Sequence, residues 1–144
     1  MATFKWASAE SLTTVFSTGL NSLADGSYAG VSSAFTNSTD LYELLALELN
    51  LASLSPAAGA FVDIWILYAA DASNFATTGK PLITSALLTT FQLDTTASTA
   101  QRLFKAGLPI WPFDYKLDLR NKVGVAFNAS GNTLKASRYN EQSV

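Results

Sequence analysis

One seven-residue stretch constrains the fold of this 144-residue chain more than any other feature. In residues 45–51, leucine occupies every odd position, and Ala, Glu and Asn fill the positions between. A helix would scatter these leucines around its circumference, whereas a strand places all four on one face. The stretch therefore predicts a β-strand, although Asp40 and Glu43 before it would also suit the first turn of a helix.

A second strand is predicted at residues 61–68, with Val62, Ile64, Ile66 and Tyr68 facing the core. The other side chains of this stretch form the opposite face: Phe61, Asp63, Trp65 and Leu67. An apolar second face needs a cover, which is either a loop or arm of the same chain or another subunit. The connection Ser55–Gly59 is short enough to join the two predicted strands as a hairpin.

Turn-forming residues recur at short intervals along the rest of the chain, which is rich in Ser, Thr, Val and aromatic residues. This punctuation is typical of an all-β protein. Further strands are predicted at 12–18, 29–35, 87–93, 100–106, 115–121, 123–129 and 133–139. We therefore expect one domain over residues 1–144, an antiparallel β-sandwich of the jelly-roll type, in which residues 1–10 form an extended arm.

The composition excludes several kinds of chemistry. The chain has no cysteine and no histidine, so it has no disulfide, no thiolate zinc site and no Ser-His-Asp triad. The carboxylate pairs Asp114/Asp118 and Glu43/Glu48 do not have the spacing of a glycosidase site. We therefore expect no enzymatic activity and no cofactor. A net charge of −2 argues against nucleic-acid binding, and no apolar run has the length of a membrane span.

Charge is unevenly distributed along the chain. Residues 1–100 contain two basic and eight acidic residues, whereas residues 101–144 contain seven basic and three acidic ones. Ordinary surface variation can produce such a difference. It also suits a molecule with an acidic and a basic side that docks onto charged neighbours.

Aromatic residues outside the expected core are candidates for contacts with other molecules. Two of them lie in the N-terminal arm, and two lie in a loop-like stretch after Leu108 and Pro109 that Pro112 also stiffens. Together with two residues of the second strand, the predicted interface residues are Phe4, Trp6, Phe61, Trp65, Trp111 and Phe113. Aromatic side chains on a rigid loop suit subunit contacts, and they also suit stacking on sugars.

Two stretches of the chain resemble a known group of proteins. Residues 60–75 are similar to an apolar strand, followed by an Asp/Asn-rich loop that ends in an aromatic residue, in small virion proteins of tailed bacteriophages. Residues 100–134 are similar to the same group, most specifically Arg120–Gly124 and Ser130–Leu134. One departure is Leu108–Pro112, where the group would have two adjacent prolines.

The resemblance implies a capsid decoration, or cement, protein with a jelly-roll fold. Such a protein is assembled in the host cytoplasm and sits on the outer surface of the virion. It forms a homo-oligomer, usually a trimer, clamps neighbouring major capsid protein subunits and has no catalytic residues. The alternative is a carbohydrate-binding β-sandwich module of a phage tail or fibre, which would bind sugar through Trp111 and Phe113.

Overall fold

The computed structural model describes residues 4–75, 86–96 and 98–143, and almost all regular structure among them is β-strand. A 3-10 turn at Thr18–Leu20 follows the second strand. The strands are β1 (Phe4–Trp6), β2 (Thr13–Phe16), β3 (Leu44–Leu51), β4 (Phe61–Ala69), β5 (Ala86–Gln92), β6 (Gln101–Pro109), β7 (Asp114–Lys122), β8 (Thr133–Tyr139) and β9 (Glu141–Ser143).

Two antiparallel sheets pack face to face, which confirms the predicted all-β sandwich. The larger sheet has the strand order β2-β8-β3-β6, and the smaller has the order β5-β4-β7. A short ribbon pairs β1 with β9. All pairings between these strands are antiparallel.

The core lies between the two sheets and is built from the strands that alternate most regularly. The four odd-numbered leucines of β3 are buried together, as predicted. They face Val62, Ile64 and Ile66 of β4 and the inward side chains of β7. Full burial of each such side chain contributes about 2 kcal/mol of hydrophobic free energy. The period of two in the sequence therefore fixes which faces of β3 and β4 meet.

The predicted hairpin at Ser55–Gly59 is wrong. Strand β3 pairs with β6 and β8, and β4 pairs with β5 and β7, so neither strand has a free edge for the other. The connection instead crosses from one sheet to the other, and Leu54 and Ala60 at its two ends are buried.

The strand predicted at 29–35 is also wrong as a regular element. This segment runs beside β7 and makes only isolated bridges, at Tyr28 and Phe35. Between them, the amides of Ala29 and Ser32 donate to carbonyl groups of β7 at 2.8 Å. Gly30, at φ +91°, interrupts the pleat, so the segment follows the edge of β7 without forming a continuous ladder.

The strand predicted at 123–129 is replaced by a turn that the buried Asn121 holds together. Its Oδ1 accepts from the Val123 amide at 2.9 Å, and its Nδ2 donates to the carbonyl groups of Leu23 and Val125. A side chain that satisfies these backbone groups favours a turn over a strand, because it competes with ladder hydrogen bonds. The other predicted strands are present, although the one expected at 12–18 ends at Phe16.

Strand β6 is longer than predicted and includes Leu108 and Pro109, which we expected in the following loop. Proline is tolerated there because it is the last residue of an edge strand. The loop with the aromatic residues is therefore only four residues long, at 110–113.

The described part of the N-terminal arm lies against the C-terminal strands. Beyond the β1–β9 ribbon, the amide of Ala7 donates to the Asn140 carbonyl and that of Glu10 to the Arg138 carbonyl, both at 2.9 Å. Residues 4–12 therefore form a border along the larger sheet rather than a free extension.

Candidate functional site

A concave surface lies on the outward face of the larger sheet. This apolar groove has a volume of about 500 Å³ and is lined mainly by Ala7, Leu12, Ala46, Phe104, Ala106 and Tyr139. Its floor is low because Ala46 of β3 and Ser137 of β8, which lie opposite each other, are both small. An apolar depression on the outside of a sandwich has no part in the core, so it is available to another molecule.

Phe104 forms the most exposed wall of the apolar groove. It is 61% exposed, although it lies in the middle of β6, opposite Glu48. Phe104 was not among the predicted interface residues, because its strand was predicted but the outward face of that strand was not assigned. The alternation of Phe104 and Ala106 with the half-buried Leu103 and Lys105 is the signal that would have identified it.

The predicted aromatic loop is exposed and rigid. Trp111 is 63% exposed and Phe113 is 39% exposed. The Trp111 ring stacks on Tyr68 with centroids 5.5 Å apart, and its amide donates to the Tyr68 hydroxyl at 3.1 Å. Its carbonyl accepts from Nδ2 of the buried Asn37 at 2.7 Å. The indole is therefore held in place and does not belong to the core.

Phe61 and Trp65, also predicted as interface residues, are only half-buried on the outward face of the smaller sheet. Asp63 and Leu67, on the same face of β4, are buried. Trp65 Nε1 is buried without a hydrogen-bond partner. This face is thus partly covered by the chain itself.

The remaining two predicted interface residues, Phe4 and Trp6, lie in β1. Their backbone pairs with Ser143 and Glu141, but their side chains lie outside the described part of the structure. Their predicted contact role therefore stays a prediction.

Two of the carboxylates considered for catalysis, Asp114 and Glu48, accept hydrogen bonds within the fold. Asp114 accepts from the amides of Asn37 and Ser38 at 2.8 Å, and hydrogen bonds from Ser38 hold its pKa below the usual value. Glu48 accepts from Asn50 and from Arg102, which lower its pKa. In residues 4–75, 86–96 and 98–143, no three acidic side chains are grouped so as to hold a metal ion.

Asp118, on the outward face of β7 and only 2% exposed, differs from these carboxylates because its pKa is raised rather than lowered. Burial raises its pKa to about 6, against the smaller lowering effect of hydrogen bonds from the amides of Leu119 and Gly30. The Leu119 amide lies 2.8 Å from its Oδ1. Asp118 is therefore an electrostatic cost to the folded protein at neutral pH.

Arg138 lies at the centre of a polar cluster that connects three parts of the chain. Its side chain is 10% exposed and forms ion pairs with Glu10 at 2.7 Å and Asp40 at 3.1 Å. It also donates to the Thr36 carbonyl and lies 4.6 Å from the centroid of the Tyr42 ring. This side chain connects the N-terminal border, the 36–42 loop and β8.

Comparison with known proteins does not assign this chain to a family. No family model matches it, and no curated protein sequence matches it. No helix in the described ranges is long and apolar enough to cross a membrane.

Proposed function

We propose that this chain is a structural virion protein, an oligomeric decoration or cement protein of a tailed-bacteriophage head. It would act on the outer surface of the capsid by binding across major capsid protein subunits, without enzymatic activity or cofactor. The observation that carries the proposal is the apolar groove with its exposed wall at Phe104. The similarity of residues 60–75 and 100–134 to small virion proteins supports it.

The strand order supports the jelly-roll part of the proposal. When segment 26–35, which runs beside β7, is counted with the strands of the two sheets, eight strand segments follow one another along the chain. The first pairs with the eighth (β2 with β8), the second with the seventh (26–35 with β7), the third with the sixth (β3 with β6) and the fourth with the fifth (β4 with β5). These pairings are those of one long hairpin rolled into two sheets, which is the jelly-roll arrangement.

The apolar groove supports oligomer formation. A depression that leaves Phe104 and Leu12 exposed to water costs hydrophobic free energy, which a second subunit recovers by covering it. An oligomer, in our proposal a trimer, would then present several capsid-binding surfaces at once. Each contact can be weak, because the first contact raises the effective concentration of the others. Binding to the assembled shell alone stabilises the shell by mass action.

Phe104→Ser is expected to weaken self-association about tenfold or more, because it removes an aromatic side chain at the centre of the proposed contact. Sedimentation velocity over a range of protein concentrations measures the change. Val31→Ser is the matched control, since Val31 is also an exposed apolar residue but lies away from the groove. If Phe104→Ser keeps its fold, its oligomer mass and its binding to virions, the groove is not a subunit contact.

A carbohydrate-binding module remains the second candidate, and the geometry of Trp111 favours it. One face of the indole is covered by Tyr68, while most of the side chain is exposed. A fixed, exposed aromatic face is suited to stacking on a sugar ring. A glycan array should then give a signal that Trp111→Ala removes and Phe104→Ser preserves. An array without signal contradicts this second candidate.

A further inference from the structure

The outward face of the smaller sheet carries a row of cations whose neighbouring carboxylates are buried. Lys116, Arg120 and Lys122 lie at alternate positions of β7, on the face opposite to the core. At about 3.4 Å per residue, the row is about 20 Å long. All three side chains are partly accessible. In the part of the chain that the structure describes, none of the three forms an ion pair.

The three carboxylates of this face contribute little accessible negative charge. Asp114, two residues before Lys116, is buried and accepts from the amides of Asn37 and Ser38. Asp118, between Lys116 and Arg120, is almost completely buried, and Asp63, opposite Arg120 on β4, is buried as well. Asp63 also accepts from the Thr90 hydroxyl at 2.7 Å. Since these carboxylates are buried, the groups of this face that can form direct ion pairs with a partner are its cations, although the whole chain is acidic.

Two of the cations are held over aromatic rings. The Lys116 Nζ lies 4.4 Å from the centroid of the Phe75 ring, and the Arg120 guanidinium lies 5.3 Å from that of Tyr28. Such contacts restrict the side chains without neutralising them. The half-buried Phe61 lies directly opposite Lys122 and adds an apolar patch. Arginine beside aromatic side chains, as at Arg120 and Tyr28, is typical of protein contact surfaces.

We propose that this cationic face is a docking surface for an acidic protein surface. The chemistry of the partner follows from the charge of the face alone. That the partner is a capsid subunit rests on the proposed function. The face lies on the side of the sandwich opposite to the apolar groove, so one subunit can contact another copy and an acidic partner at the same time.

Poly-L-glutamate, as a purified acidic polypeptide, is the probe that tests this inference. We expect measurable binding in low salt that weakens as the ionic strength rises from 0.05 to 0.3 M. Lys116→Gln/Lys122→Gln should weaken it at least fivefold. Lys5→Gln/Lys135→Gln is the control, because it removes two lysines elsewhere and gives the same net charge. It should leave binding within twofold of the wild type.

Three results would overturn the inference: no binding to poly-L-glutamate, an equal loss in both double variants, or tighter binding to duplex DNA of equal charge. An equal loss would mean that only the net charge matters, and tighter DNA binding would identify a different class of partner. None of the three results depends on the oligomer mass or on the binding of Phe104→Ser to virions. Failure of this inference is therefore distinguishable from failure of the proposed function.

Discussion

Arg138→Ala is expected to lower the free energy of unfolding by about 3 kcal/mol at pH 7. The change leaves two carboxylates, Glu10 and Asp40, and the carbonyl of Thr36 without their shared donor. It also removes the cation from the rings of Phe35 and Tyr42. Because water reaches both carboxylates after the change, the loss should lie at the lower end of what breaking a buried ion pair costs. Urea unfolding measures it.

The same substitution should also loosen the N-terminal border. The Glu10 amide donates to the Arg138 carbonyl, and the Ser137 hydroxyl donates to the Glu10 carbonyl. These bonds attach the border to β8 at the position of Arg138. Hydrogen exchange of the Glu10 amide should rise in Arg138→Ala. Lys135→Ala, which removes a cation from the same strand, should cost less than about 1 kcal/mol. Equal costs for the two variants would contradict the role given to Arg138.

Asp118→Asn is expected to remove a pH dependence of stability worth about 2 kcal/mol between pH 7.5 and 4.5. The folded pKa of about 6 lies above the value of 3.8 for an ordinary aspartate. Between these values the folded protein binds a proton that the unfolded chain does not. The contribution of Asp118 to stability therefore increases as the pH falls through 6, and it levels off below about 4.

The pH dependence of the free energy of unfolding is compared between wild type and Asp118→Asn, which isolates the effect of Asp118. Carboxylates with a lowered pKa, such as Glu48 and Asp114, act in the opposite direction, but they do so equally in both proteins. Urea unfolding at pH 7.5 and at 4.5 gives the four free energies required. Asp94→Asn is the control, because hydrogen bonds from Thr96 lower the pKa of Asp94. The change that Asp94→Asn makes in the pH dependence of stability should therefore have the opposite sign to that of Asp118→Asn. A pH dependence unchanged by Asp118→Asn would show that the carboxyl is not buried as described.

The sequence predicted the parts of the fold that depend on local alternation. Strands β3, β4, β7 and β8 have clear periods of two, and their inward faces follow directly from them. Local alternation does not predict which strands pair, because pairing depends on which strand edges are available in the complete fold. The error at Ser55–Gly59 is of this kind: a short connection is compatible with a hairpin and with a crossing between sheets.

The candidate surfaces were predictable only where exposure follows from the local sequence. Trp111 and Phe113 stand in a proline-bounded loop, so their display was foreseeable. The apolar groove was not predictable, because Leu12 of the N-terminal border, Ala46 of β3 and Phe104 of β6 are far apart in sequence. Likewise, the Gly30 amide that donates to the buried Asp118 belongs to the stretch 29–35, which the sequence predicted as an ordinary strand.

Native mass tests the proposal of an oligomeric decoration protein most directly. Sedimentation equilibrium of the purified chain should give a species of about three times the 15.3 kDa chain mass, and Phe104→Ser should shift it toward 15.3 kDa. Under this proposal, virions of the tailed phage concerned should carry the added wild-type protein into the pellet. A wild-type chain that stays at 15.3 kDa at all concentrations and remains in the supernatant would contradict the proposal.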